Sequence, residues 1–241
     1  MNTTSSAAPR YFLVLPAAGS GQRMASERPK QYLEINGRTL LQHTLERLGS
    51  MACFERIVLV LSPQDAWWPV IEQQLPSSIR QKLTVATGGS QRADSVANGL
   101  QALQGVAQRQ DWILVHDVVR PCIHHSDVEL LITAVKDEVA GGLLATPVRD
   151  TLKRSSDLQV VEQTVDRRNL WCAATPQMFR YRLLLESLQK VTAAGRTVTD
   201  EAEAVEACGH PVKLVQGRTD NLKVTYPQDL QLAALILRAQ S

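Results

Sequence analysis

Residues 11–24 read Tyr-Phe-Leu-Val-Leu-Pro-Ala-Ala-Gly-Ser-Gly-Gln-Arg-Met. The apolar run from Tyr11 to Leu15 fits a strand covered on both faces. It passes directly into small residues, Pro16 to Gly21. Small side chains let the backbone approach phosphate oxygens, and successive N–H groups form an anion-binding concavity. Arg23 adds a planar fork of donors matched to phosphate, and Lys30 supplies a point charge nearby. The loop is not a Walker loop, because no Gly-Lys-Ser/Thr closes it. Nor is it a dinucleotide fingerprint, because Met24 stands where a third glycine is needed.

Outward from this loop, apolar runs alternate with helix-period segments. Leu40, Leu41, Thr44, Leu45 and Leu48 share a helical face that Gly49 ends. Strands are expected at residues 56–61, 83–87, 112–115, 142–148 and 211–216. A helix follows the strand at 83–87, carrying Val96, Leu100 and Leu103. Ser126 and Glu129 suggest a capping box for the helix after 112–115. Pro227 opens a last helix with Leu230, Leu232, Leu235 and Ile236 as its apolar positions. This rhythm predicts a mostly parallel sheet with helices on both faces, in one domain spanning residues 1–241. Polar clusters follow Leu15, Thr87 and Val115, where such sheets bind ligands.

Residues 149–169 break the rhythm. Ser155-Ser156-Asp157 is a turn signal between two short polar-alternating stretches. A protruding hairpin arm fits, and such an arm needs something to pack on, such as another subunit. A plain surface loop fits the same composition.

Composition narrows the function. Lys and Arg number 26 against 24 Asp and Glu, a net charge of +2 that argues against a dedicated nucleic-acid binder. No apolar run approaches the roughly 20 residues of a membrane span. The four cysteines are scattered without a C-x-x-C pair, which favours a reducing, cytoplasmic setting over a disulfide framework.

His116-Asp117 ends the strand at 112–115. A carboxylate there can hold Mg²⁺, which prefers one or two carboxylates plus substrate phosphates. Arg120 can meet a second anion. His116 reads as a hydrogen-bonded structural histidine, since a phosphate nucleophile carries no proton to remove.

Nine segments occur in order: residues 16–24, Pro29-Lys-Gln-Tyr32, Ala93-Asp-Ser-Val96, His116-Asp-x-x-Arg-Pro121, Pro147-Val-x-Asp-Thr151, Thr164-Val-Asp-Arg167, Thr175-Pro-Gln177, Thr199-Asp-Glu-Ala202 and Asp220-Asn-x-Lys-Val224. Together they resemble the 2-C-methyl-D-erythritol 4-phosphate cytidylyltransferase family. The resemblance implies a nucleotidyltransferase-type (Rossmann-like) α/β fold with a protruding β-hairpin arm. It implies CMP transfer from CTP to methylerythritol 4-phosphate with Mg²⁺, in non-mevalonate isoprenoid biosynthesis. A ribitol 5-phosphate cytidylyltransferase is the alternative within the class. The resemblance also implies a homodimer with exchanged arms. Ala17, Ala18, Gly19 and Gly21 would then line the nucleotide site, with Gly89 and Ser95 near the base. Arg23 and Lys30 would be catalytic clamps, and Asp117 would hold the metal. Arg120, Thr175 and Lys223 would contact the sugar phosphate, and Thr151 and Arg167 would reach the partner's site. Val118-Val119 stands where the family commonly has Ala-Ala, and Ser90 where it often has Asp.

Overall fold

The computed structural model describes residues 8–19, 28–157 and 159–240. The chain opens with β1 (Tyr11–Pro16), a 3-10 turn at Lys30–Tyr32, and a small hairpin of β2 (Glu34–Ile35) and β3 (Arg38–Thr39). Then come α1 (Leu40–Gly49), β4 (Phe54–Leu61), α2 (Trp68–Gln74), α3 (Ser77–Lys82), β5 (Leu83–Thr87), α4 (Arg92–Gln101) and β6 (Trp112–Val115). The second half carries α5 (His125–Val135), β7 (Gly141–Pro147), β8 (Leu152–Ser155), β9 (Val161–Val165) and β10 (Trp171–Arg180). It ends with α6 (Tyr181–Ala193), α7 (Glu201–Ala207), β11 (Lys213–Gln216) and α8 (Pro227–Ala239).

Seven strands form one sheet in the order β11-β7-β10-β6-β1-β4-β5. Only β10 runs against its neighbours, β6 and β7. Side chains alternate across β1 as the pleat requires. Leu13 and Leu15 join a core built with α1, α5 and α8, while Phe12 and Val14 join one built with α4, α6 and α7. Burial on both faces is why β1 reads as an unbroken apolar run.

The chain leaves β1 toward β4 and β5, then returns to place β6 on the other side. That reversal opens a crevice beyond the carboxyl ends of β1 and β6. The loop at Ala17 and the acidic turn at Asp117 face each other there. Because β10 is antiparallel, its first half, with Thr175, reaches the same edge.

Local signals account for most boundaries. Thr39 and Gln42 cap α1 reciprocally, Gln42 N donating to Thr39 Oγ1 at 3.1 Å and Thr39 N to Gln42 Oε1 at 2.8 Å. The Ser126/Glu129 capping box is not formed. α5 begins two residues earlier, because the His124 imidazole accepts from Ser126 N at 3.2 Å and serves as the cap. In α8 the expected apolar stripe is only partly buried: Ala233 and Leu237 face the core, while Leu232 and Leu235 are exposed.

Residues 149–169 do form an arm. β8 and β9 pair antiparallel from Leu152 opposite Val165, and among the described residues make no other strand pairing. The arm grows from the β7/β10 pair, where Val148 N donates to Leu170 O. Val160 and Val161 near its tip are exposed.

Candidate active site

The crevice holds two adjoining cavities. The first is lined by Ala17, Ala18, Gly19, Lys30, Gly89 and Ser95, together with the acidic turn. The second is lined by Arg120, Thr175, Gln177, Thr199 and Asp200. Arg92, Asp117 and Lys223 line both. A molecule in one cavity therefore meets a molecule in the other across these three side chains.

The first cavity is shaped by close backbone packing. Ala17 N donates to Val60 O at 2.8 Å, and Ala17 O accepts from the buried Gln31 amide at 2.8 Å. The Ala17 backbone is thus held in place by β4 and the 3-10 turn, and Ala17, Ala18 and Gly19 line the cavity. A Cβ on Gly88 would lie 2.3 Å from the Ala18 Cβ, so only glycine lets the two loops approach. Gly89 N donates to Ser95 Oγ at 3.1 Å, fixing the start of α4 against the cleft.

Asp117 is the electrostatic centre. Its Oδ1 accepts from Arg92 Nη2 and Nε at 3.1 and 3.2 Å. Its Oδ2 lies 2.7 Å from Lys223 Nζ and 3.9 Å from Arg120 Nε. Burial would raise its pKa, but the charges of Arg92, Lys223 and Arg120 more than reverse this and hold the carboxyl well below the usual range. Arg92 in turn binds the buried Glu201, Nη1 to Oε1 at 2.5 Å and Nη2 to Oε2 at 3.1 Å.

His116 is fully buried behind this turn. Its Nε2 contacts the Arg120 carbonyl at 3.2 Å, and that oxygen can only accept. The proton therefore sits on Nε2, and Nδ1 accepts from the Thr175 hydroxyl at 3.0 Å. Thr175 Oγ1 accepts from Asp117 N at 3.1 Å. Burial pushes the imidazole down to about 4, so it is neutral near pH 7. Its hydrogen bonds give it a supporting place behind the acidic turn.

The structure thus gathers Ala17, Ala18, Gly19, Lys30, Gly89, Ser95, Asp117, Arg120, Thr175 and Lys223 around one crevice. Gly21 and Arg23 lie outside the described residues. Thr151 and Arg167, at the base of the arm, line neither cavity of their own chain. Arg167 instead donates to the Arg149 carbonyl. Sequence position alone does not single out Arg92 or Glu201. One signal for Arg92 existed: it opens a helix, where the backbone dipole disfavours a cation unless carboxylates hold it.

Among the described residues no three His, Cys, Asp or Glu side chains cluster as a metal site. No helix there is long and apolar enough to cross a membrane.

The chain is similar to known proteins over nearly its whole length. The family model for 2-C-methyl-D-erythritol 4-phosphate cytidylyltransferase matches residues 11–239. A protein of that name from Dechloromonas aromatica is 51% identical over 233 residues, 96% of this chain and 99% of its own length. One from Hahella chejuensis is 46% identical over 229 residues, covering 95% and 93%. A crystal structure of a 4-diphosphocytidyl-2C-methyl-D-erythritol synthase superposes with a TM-score of 0.82 at 36% identity, over 96% of this chain and all of that one. The Thermus thermophilus cytidylyltransferase superposes at 0.77 and 31% identity, covering 95% and 99%. The chain belongs to the 2-C-methyl-D-erythritol 4-phosphate cytidylyltransferase family.

Proposed function

We propose that this protein transfers the cytidylyl group of CTP to 2-C-methyl-D-erythritol 4-phosphate in non-mevalonate isoprenoid biosynthesis. Family membership over nearly the whole chain supports this. The observation that carries the chemistry is the pair of cavities meeting at Arg92, Asp117 and Lys223. CTP occupies the cavity of Ala18, Gly19 and Lys30, and the sugar phosphate that of Arg120 and Thr175. An acceptor phosphate oxygen bonds to the α-phosphorus as the bond to the pyrophosphate oxygen breaks. The products are 4-diphosphocytidyl-2-C-methyl-D-erythritol and pyrophosphate.

A phosphate monoester is mostly dianionic near pH 7, its second pKa being about 6, so no side chain need remove a proton. The barrier is electrostatic, and positioning and charge stabilisation lower it. Arg23 and Lys30 take this role at the reacting phosphate, and Lys223 and Arg120 hold the acceptor. Asp117 would hold Mg²⁺. One carboxylate facing a polyphosphate cleft, with no acidic cluster beside it among the described residues, suits an ion that arrives with the triphosphate. When bound, the ion supplies neutralising charge to the phosphates.

The reading includes a cytoplasmic homodimer in which each arm presents Thr151 and Arg167 to its partner's acceptor cavity. The exposed valines near the arm's tip and the four free cysteines support it. Mixing an Arg167→Ala chain with a Lys30→Ala chain should restore part of the activity in mixed dimers; verified mixed dimers without rescue would refute the exchange. The decisive assay for the reaction is pyrophosphate release with each of four nucleoside triphosphates and two acceptors, methylerythritol 4-phosphate and ribitol 5-phosphate. CTP with methylerythritol 4-phosphate should exceed every other pair, and a preference for ribitol 5-phosphate would overturn the assignment.

A further inference from the structure

The segment Thr199-Asp200-Glu201-Ala202 has no part in the reaction just described, yet it sits against the acceptor cavity. Bonds that do not involve Glu201 already attach it to the fold. Asp200 caps α7 by accepting from Glu203 N at 2.9 Å. Gln177 pins the same turn to β10, donating to Asp200 Oδ2 at 2.9 Å and accepting from Ala202 N at 2.8 Å. The Glu201 side chain is only 1% exposed, and among the described residues its carboxylate meets Arg92 alone.

Arg92 is committed to carboxylates on both sides. Nη1 and Nη2 serve Glu201, and Nη2 and Nε serve Asp117 Oδ1. Although Arg92 lines the nucleotide cavity, its fork is turned toward acids rather than toward incoming phosphate. A planar guanidinium held by one carboxylate fixes the direction from which it meets the other. A buried ion pair adds little net stability, because desolvation offsets the attraction. What this pair does supply is orientation.

We propose that Glu201 is a positioning residue for cytidylyl transfer: through Arg92 it fixes the Asp117 carboxylate where the nucleotide and acceptor cavities meet. The proposal rests on the reading of Asp117 as the group that holds the divalent cation. Without the Glu201 charge, the whole Arg92 cation falls on Asp117, or swings into the cleft. Either way Asp117 is less available to a metal–triphosphate.

Partners that orient metal ligands typically change metal affinity or activity by about 10–100-fold when removed. Glu201→Gln keeps the shape and removes the charge. Mn²⁺ binding, read by electron paramagnetic resonance in the presence of a non-reactive CTP analogue, should weaken by about tenfold or more. The kcat should fall, and the KM for CTP should rise in step with the metal affinity, because the ion and the triphosphate bind together. Arg92→Lys keeps the charge but loses the fork and should show the same loss. The double variant should be no worse than the poorer single one, since both act along one path. Wild-type Mn²⁺ affinity and kcat in a folded Glu201→Gln protein would overturn the proposal, as would losses that simply multiply in the double variant. If Glu201→Gln does not fold, Arg92→Lys is measured in its place, and wild-type Mn²⁺ affinity and kcat there would overturn the proposal with the same force. Asp117→Asn separates the two levels. If it retains Mn²⁺ affinity, the metal assignment falls and this proposal with it. If it loses affinity while Glu201→Gln does not, only the proposal falls.

Discussion

Acidification should destabilise this protein through His116. The imidazole is fully buried, neutral, and bonded on both nitrogens, to Thr175 and to the Arg120 carbonyl. Its pKa is about 4 when folded, against an ordinary 6.5. Between those values the unfolded chain binds a proton that the folded chain does not. The stabilisation from keeping His116 neutral is therefore complete above pH 6.5 and is lost as the pH falls toward 4. A shift of this size is worth about 3 kcal/mol in full, and about 2 kcal/mol of it should vanish between pH 7 and pH 5. Urea unfolding of wild type and His116→Gln at pH 5, 6 and 7 measures this. Glutamine cannot titrate, so wild type should lose about 2 kcal/mol more than the variant across that range. The carboxylates, common to both proteins, cancel in the difference. Parallel pH curves would refute the reasoning, and so would an imidazole resonance assigned to His116 that titrates near pH 6.5.

Three further outcomes follow from the crevice. Thr175→Val removes the hydroxyl that serves both His116 Nδ1 and Asp117 N, leaving two buried groups without partners; unfolding should show a loss of about 2–4 kcal/mol, with Thr175→Ser close to wild type. Gly88→Ala would place a methyl 2.3 Å from the Ala18 Cβ, forcing the loops apart; the KM for CTP should rise roughly tenfold, and an unchanged KM would show that the loop spacing is not what binds the nucleotide. Lys223→Ala removes a half-exposed partner of Asp117 that Arg92 also serves, so thermal stability should change by about 1 kcal/mol or less while the KM for the acceptor climbs.

Where local chemistry decides a structure, the sequence is readable. The apolar run at 11–15, the strands at 83–87 and 112–115, and the arm all lie where spacing and turn residues put them. The stretch from 170 to 210 is different. β10 is long, but Pro176 interrupts it and its pairing with β7 shifts register between Ala173 and Gln177. Proline argues against a central strand on sequence grounds, and here the irregularity absorbs it. Its antiparallel direction, which brings Thr175 to the crevice, is a matter of topology and has no local signature. The site divides the same way. Asp117 and Arg120 closely follow the end of β6, and Lys30 follows the glycine-containing loop, so these can be picked out by position. Glu201 lies 109 residues from Arg92, and nothing near either residue announces the other.

That distant pair bears on why a carboxylate sits in a site built to gather phosphates. Arg92, Arg120 and Lys223 surround Asp117, and Glu201 is the other acid bound to the group. Within this ion-pair group, among the described residues, three cations meet two carboxylates. Three uncompensated cations there would bind pyrophosphate as firmly as the transition state, and interactions equally strong in both do not speed the chemical step. Asp117 keeps Lys223 tethered yet half-exposed at the junction of the two cavities. Arg92 is held on its other side by Glu201 in the protein interior. A cation bound to one carboxylate leaves it more readily than a cation shared between two, and in this crevice the second carboxylate is a buried glutamate that lines neither cavity.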